Sequence, residues 1–260
     1  MKKTTQLVTI LLVLVAMSTA QSQTSLDQLL DRTGKAVSLF VDQLSDVKCT
    51  EQVKQEKLGK ENKVELTENS TYDYLIILTN SGGDLSLDES RLAVKEAKQD
   101  KKNRSMLVSN GFSTLFLIFH PYYANSFQFA EAGEEVIDGR KLTRLTFQHI
   151  RGMRSPAALS IRGREYPLEL SGTADIDPQS GAVVKMTADV GETMTDVGLK
   201  TLRSEIEFAP VPFKDSKEVY WFPLQATVEV ETPRQHWRNT HTFSQYKKFS
   251  VSTEEQVATK

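Results

Sequence analysis

The sequence predicts an α+β fold that is mostly antiparallel β, with an N-terminal amphipathic helix and a second, hydrophobic helix. Three observations support this fold class. Extended segments of alternating apolar and polar residues fill most of the chain, turn residues separate them, and helical spacing of apolar residues recurs in only two places. Alternation with a period of two is typical of strands with one buried face. A chain of this length can bury a full core, so we expect a single domain over residues 21–260.

Residues 1–20 have the pattern of a secretory signal peptide. Lys2 and Lys3 give a positive start, residues 7–17 are almost entirely apolar, and small residues precede a predicted cleavage after Ala20. The apolar stretch is shorter than the roughly 20 residues of a membrane-spanning helix. No cysteine lies near the cut to carry a lipid. We therefore expect an exported, soluble protein of the periplasm without a lipid anchor.

Charge and cysteine content narrow the function classes. The formal net charge is −2, and loss of the two lysines with the signal peptide would make it −4. An acidic chain lacks the surplus of Lys and Arg that nucleic-acid binding requires. Cys49 is the only cysteine, so an internal disulfide is impossible. We interpret this thiol as a packed small hydrophobe, and nucleophilic or intermolecular roles stay open as less favoured alternatives.

The first predicted helix covers residues 26–45, where apolar residues recur at helical spacing and Ser25 with Gln28 forms a capping pair. The second covers residues 109–119 and ends before Pro121. Because apolar residues surround this second helix on all sides, it is either buried in the core or in contact with an apolar ligand, and burial is the commoner case.

The remaining apolar segments predict strands, several of them joined as hairpins by Gly, Pro and Asp turns. The predicted strands are 47–58, 64–79, 126–136, 140–150, 166–177, 182–191, 198–209, 218–232 and 237–251. Alternation in the late strands places one set of apolar residues on a common inner face. Together with the hydrophobic helix, they give these candidates for an apolar ligand lining: Phe112, Leu115, Phe116, Phe119, Tyr220, Phe222, Leu224, Trp237 and Phe243.

Two basic segments are candidates for anion contacts. Residues 91–104 form either a solvated loop, which we favour, or a peripheral contact with anionic membrane headgroups. A second cluster surrounds Ser155 and Pro156 and could hold a phosphate or carboxylate, although a charged loop at the end of the sheet is the commoner arrangement. Its members are Arg151, Arg154, Arg162 and Arg164.

Motifs with known chemistry are absent from the sequence. There is no nucleophile elbow, no zinc-protease helix motif, no P-loop and no dinucleotide fingerprint. His236 and His241 are five residues apart in a predicted strand, and therefore point to opposite faces. We predict no catalytic residues, no metal site and no cofactor.

One turn carries a resemblance to a known family. Residues 174–185, with the sequence ADIDPQSGAVVK, resemble a hairpin of the LolA-like periplasmic lipoprotein carriers and lipoprotein-sorting proteins. Residues 117–123 and 231–240 resemble stretches of exported bacterial proteins without an assigned role. The resemblance implies a strongly curved antiparallel sheet, a half-barrel, whose concave apolar face is covered by helices and can take up acyl chains.

Three functions follow as hypotheses. The first is a non-enzymatic binding or carrier protein for a lipid or acylated polypeptide in the cell envelope. The second is an envelope protein interaction module, in which the same apolar elements form a filled core. The third is an enzyme that uses Cys49 or an anionic substrate held by arginines. An open apolar cleft favours the first hypothesis and a sealed core the second. The sequence does not indicate the oligomeric state.

Overall fold

The computed structural model describes residues 25–42, 47–81, 84–95, 112–161, 164–190, 194, 198–213 and 219–248. The predicted signal peptide and its cleavage site lie outside these residues. The described part holds no helix that is both long enough and apolar enough to span a membrane.

The described residues include twelve strands. They are β1 (Val47–Leu58), β2 (Val64–Ser81), β3 (Asp84–Lys95), β4 (Phe127–Ile137), β5 (Arg140–His149), β6 (Ala158–Ile161), β7 (Arg164–Pro167), β8 (Leu170–Ile176), β9 (Val183–Val190), β10 (Thr201–Pro212), β11 (Val219–Glu231) and β12 (His236–Lys248). Ten of them make one antiparallel sheet in the order β3-β2-β1-β12-β11-β10-β9-β8-β5-β4, and β6 pairs only with β7. The sheet does not close on itself, so the predicted α+β half-barrel is confirmed.

The helices cover the inner face of this sheet. Helix α1 spans residues 25–42, close to the predicted range, and its buried side chains recur at helical spacing. The predicted second, hydrophobic helix is present as a 3-10 helix at Phe112–Phe119. His120 then adopts an extended conformation, as a residue before proline must, and a short helix α2 follows at Pro121–Ala124.

The core lies where α1 and the 3-10 helix meet the sheet. The Phe40 ring is 4.9 Å from the ring centroids of both Phe116 and Phe222, so it joins the two helices to β11. Gly34 allows this close packing, because a Cβ atom there would lie 3.2 Å from the carbonyl oxygen of Phe119. Glycine inside a helix lowers its stability, but here it allows the 3-10 helix to pack closely against α1.

Two loops predicted from charge contain strands. Arg91 to Lys95 belong to the edge strand β3, which pairs with β2, and the rest of the basic segment 91–104 lies outside the described residues. The arginine-rich segment after β5 contains the small β6–β7 hairpin. Charge alone predicted loops in both places, but charge does not show whether the backbone of a segment pairs with a neighbouring strand.

Candidate functional site

The described residues form an apolar groove with a volume of about 350 Å³. It lies between α1, the 3-10 helix, the turn from β8 to β9, and the strands β10 and β11. We call it the apolar groove. Its lining consists of Ala36, Val37, Leu39, Phe40, Phe116, Ser180, Gly181, Ala182, Val183, Phe208, Val219, Tyr220 and Trp221.

The turn between β8 and β9 fixes one wall of the groove. The Asp177 carboxylate accepts hydrogen bonds from the backbone N–H groups of Gln179 and Ser180, at 2.8 and 3.1 Å. Gly181 has a φ of +75°, and a Cβ atom there would lie 2.8 Å from backbone atoms of Arg32 in α1. Glycine is therefore required both for the backbone conformation and for contact between the turn and the helix. The guanidinium of Arg32 also donates a hydrogen bond to the carbonyl of Pro178.

The mouth of the groove exposes apolar side chains to solvent. Leu39 of α1 is 50% exposed and Val219 of β11 is 55% exposed, and both belong to the lining. Ser180 contributes a hydroxyl group, and nearly all the other lining side chains are aliphatic or aromatic. A partly open, apolar concavity of this size is the general form of a small-molecule site.

The cation of Arg140 lies beside this groove. The Arg140 guanidinium carbon is 5.0 Å from the centroid of the Trp221 ring, and Trp221 is part of the lining. This is a cation–π distance. Arg140 is exposed at the start of β5, next to the turn that joins β4 to β5.

The structure brings some of the predicted lining residues to the groove and places others elsewhere. Phe116 and Tyr220 line it, and Phe222 packs behind it against Phe40. Leu115 and Phe119 are buried core residues, and Phe119 stacks on Phe129 with ring centroids 5.2 Å apart. Phe112 is the first residue of the 3-10 helix.

Three further candidates lie away from the groove. Phe243 contacts Tyr74 on β2, and Trp237 is buried on β12, where its indole N–H donates to the Gln235 side chain. Leu224 is not among the residues that line the groove, in contrast to its prediction, and its side chain is 46% exposed. The register of β11 against β10 shifts around it, because Pro223 pairs with Phe208 while Gln225 pairs with Glu207. A β-bulge of this kind breaks the alternation on which the prediction depended.

Only part of the predicted arginine cluster belongs to the described residues, so the cluster stays a prediction. Arg151 forms an exposed ion pair with Glu169, with a nitrogen–oxygen distance of 3.3 Å. Arg154 lies over the Tyr122 ring instead, 4.6 Å from its centroid. Arg164 is in β7, and Arg162 lies outside the described residues. The two arginines whose contacts are described thus have different partners.

Sequence reasoning missed most of the groove wall. Val37 and Phe40 are among the apolar residues whose helical spacing predicts α1, but nothing in that spacing shows that they border an opening. Val183, Phe208 and Trp221 lie on three strands that no local pattern brings together. Besides the predicted Phe116 and Tyr220, the glycine-containing turn at 177–181 gave a usable signal, because its chemistry requires a tight return of the chain.

A second feature of the inner face is a buried polar network formed by Glu51, Glu89, Arg91 and His241. Arg91 donates to both carboxylate oxygens of Glu51, at 2.6 and 2.9 Å, and to Glu89 at 2.7 Å. Oε1 of Glu51 also accepts a hydrogen bond from Nδ1 of His241, at 2.8 Å. The side chains of Glu51 and Glu89 are no more than 1% exposed, and that of Arg91 is 10% exposed.

The network holds its central carboxylate charged. Burial alone would raise the pKa of Glu51, but hydrogen bonds from His241 and Arg91 outweigh burial and lower its pKa below its ordinary value. The Nε2 atom of His241 has no hydrogen-bond partner among the described residues.

His236 points to the other face of the sheet and contacts Glu229 at 2.8 Å, so the predicted separation of the two histidines is confirmed. The described residues contain no group of three or more His, Cys, Asp or Glu placed to hold a metal ion.

Cys49 lies beside this network and is buried. Burial, reinforced by the nearby negative charge of Glu51, raises the pKa of its thiol to about 12. A thiol with this pKa stays protonated at neutral pH, and only the thiolate is a strong nucleophile. The structure therefore favours the packed role of Cys49.

Comparisons with known proteins give structural neighbours. No protein-family model matches the sequence, and no curated protein matches it either. The chain is similar to a solved DUF1329 family protein from Desulfovibrio piger, with 13% identity, coverage of 92% of this chain and 95% of that chain, and a TM-score of 0.42.

Two further solved structures are similar to the chain. A LolA superfamily protein from Nitrosomonas europaea shares 9% identity over 87% of this chain and 97% of that chain, with a TM-score of 0.33. The lipoprotein LppX from Mycobacterium tuberculosis shares 11% identity over 87% of this chain and 98% of that chain, with a TM-score of 0.24. LolA-like proteins are thus among the structural neighbours, but similarity at this level does not assign the chain to their family.

Proposed function

We propose that the protein is an exported binding or carrier protein of the cell envelope, and that its apolar groove holds the acyl chain of a lipid or of an acylated polypeptide. The observation that carries this proposal is the groove itself, which is large enough for a ligand and lined by side chains that water solvates poorly. In this proposal residues 1–20 direct export and residues 21–260 form the soluble working domain, which needs no catalytic residue.

The groove favours the carrier over the interaction module with a filled core. A filled core would bury Leu39 and Val219 or replace them by polar residues, whereas both expose apolar surface at the groove mouth. Apolar side chains that border a concavity lose water when an acyl chain enters, at about 25 cal/mol for each Å² covered. This gain is the driving force that we propose for binding.

Extraction and mass spectrometry of the protein purified from its native envelope test the proposal. We expect an acyl-chain lipid to copurify in near-stoichiometric amount. The substitution Leu39→Asp places a charge at the groove mouth, and desolvating that charge opposes entry of the chain. It should strongly reduce the copurified lipid.

Leu224→Asp is the matched control. Both leucines are about half exposed, but Leu224 lies at the bulge of β11 outside the groove lining. We expect this variant to retain the wild-type lipid content. Absence of lipid from the wild-type protein, together with no binding of a fluorescent fatty acid, would contradict the proposed function.

A further inference from the structure

One wall of the groove combines an apolar ring with a neighbouring cation, and this combination indicates the class of ligand. Trp221 faces the groove with an apolar ring, and the same ring carries the exposed Arg140 guanidinium 5.0 Å from its centroid. Contact with an aromatic ring does not use up the five N–H donors of a guanidinium, so they can still form hydrogen bonds.

We propose that the ligand of the apolar groove is a single-chain anionic amphiphile, whose carboxylate or phosphate binds Arg140 beside Trp221. This inference rests on the proposed function and names the ligand class for the same site. The volume of about 350 Å³ is at the lower end of ligand pockets, which suits one chain better than several.

Arg140 differs from most other described arginines in its lack of a carboxylate partner. Arg91 pairs with Glu51, Arg144 with Asp175, and Arg238 with Glu229. Among the described residues, Arg140 has no carboxylate within ion-pair distance, and its recorded side-chain contact is the Trp221 ring. An anionic headgroup would therefore meet a cation that no internal acid neutralises.

The position of Arg140 also suits an amphiphile geometrically. Its strand β5 starts at the same end of the sheet as the turn that forms one groove wall, because Thr143 of β5 pairs with Ile176 at the end of β8. The acyl chain would lie against Phe116 and Phe208, and the headgroup would stay in contact with water at the exposed guanidinium. Such an arrangement buries the apolar part of the ligand without desolvating its charge completely.

The test compares three ligands of equal chain length in titrations below their critical micelle concentrations. Palmitate supplies a carboxylate, a lysophosphatidylglycerol supplies a phosphate, and hexadecanol supplies a neutral headgroup. For Arg140→Gln we expect an affinity loss of about tenfold for the anionic ligands and little change for hexadecanol, because one charge-assisted hydrogen-bonded contact is removed. Whichever of the two anionic ligands loses more affinity in Arg140→Gln carries the preferred headgroup, a carboxylate or a phosphate.

Arg154→Gln is the matched control, since Arg154 also lies over an aromatic ring but is not part of the groove. It should bind all three ligands as the wild type does. Equal losses for all three ligands in Arg140→Gln, or no loss, would overturn the headgroup assignment and leave the proposed function intact. If the wild-type protein binds none of the three, the proposed function itself fails.

Discussion

The two halves of the inner face solve the problem of burial in different ways. On β9, β10 and β11 the inner side chains are mostly apolar, with Ser204 as a buried polar exception, and α1 and the 3-10 helix pack on them through rings such as Phe40 and Phe116. On β1, β3 and β12 the inner face carries the buried polar network around Glu51. The half formed by β9, β10 and β11 is held together by apolar contacts, and the half formed by β1, β3 and β12 also by directional hydrogen bonds and ion pairs.

This difference explains why the groove is in the apolar half. Apolar contacts are non-directional, so side chains can border an opening at a modest cost in free energy. A charged network in the interior has no such freedom, because loss of one partner leaves a buried charge without compensation. The polar half should therefore be rigid and intolerant of substitution, and the apolar half should tolerate changes that alter ligand binding.

The largest expected effect comes from Arg91→Leu. Removal of this cation leaves the carboxylates of Glu51 and Glu89 buried without their shared partner. We expect the free energy of unfolding, measured with urea, to fall by about 4 kcal/mol. Arg203→Leu is the control, because Arg203 is 65% exposed in its pair with Asp189 and its loss should cost less than about 1 kcal/mol. Equal effects of the two changes would contradict the contrast between the halves.

A somewhat smaller loss is expected for Phe222→Ala in the apolar half. Phe222 is 3% exposed and lies behind the groove against Phe40. Its truncation should lower the free energy of unfolding by about 3 kcal/mol in the absence of ligand. Because the new space lies next to the groove, added fatty acid should restore part of this stability in thermal denaturation. A variant whose melting temperature does not respond to ligand would show that the groove and the core behind it are not connected.

The pH dependence of stability should identify the polar half. The pKa of Glu51 is lowered in the folded protein by His241 and Arg91 despite burial, so its carboxylate stabilises the fold above its ordinary pKa near 4.5. That stabilisation is lost as the pH falls below this value. We expect the free energy of unfolding to decrease more steeply with acidification in the wild type than in Glu51→Gln. Parallel acid limbs for the two proteins would contradict the role assigned to this carboxylate.

The order of elements was largely accessible from the sequence. Alternation and turn chemistry located most of the strands, and the stripe of α1 was visible in its spacing. The type of each helix and the register of each strand were less accessible. The segment at 112–119 is apolar on all sides, and such a segment has no periodicity that distinguishes a 3-10 helix from an α-helix. The bulge at Leu224 depends on pairing with β10, which no local pattern contains.

The site was predicted only in part for the same reason. Phe116 and Tyr220 were found because they are large and apolar, yet size does not separate a lining residue from a core residue such as Phe119. Arg91 was placed in a basic loop, although it is bonded to Glu51 from a strand 40 positions earlier in the chain. Contacts between distant strands decide both features, and they exist only in the folded sheet.

Occupation of the groove is tested most directly by filling it. Ala36 lies in the groove lining on α1, so Ala36→Trp should occupy the space of the acyl chain, whereas Lys35→Trp adds the same side chain at an exposed position of the same helix. We predict that a fluorescent fatty acid binds the wild type and Lys35→Trp with similar affinity and does not bind Ala36→Trp. Unchanged binding by a folded Ala36→Trp variant would place the ligand elsewhere and contradict the central claim.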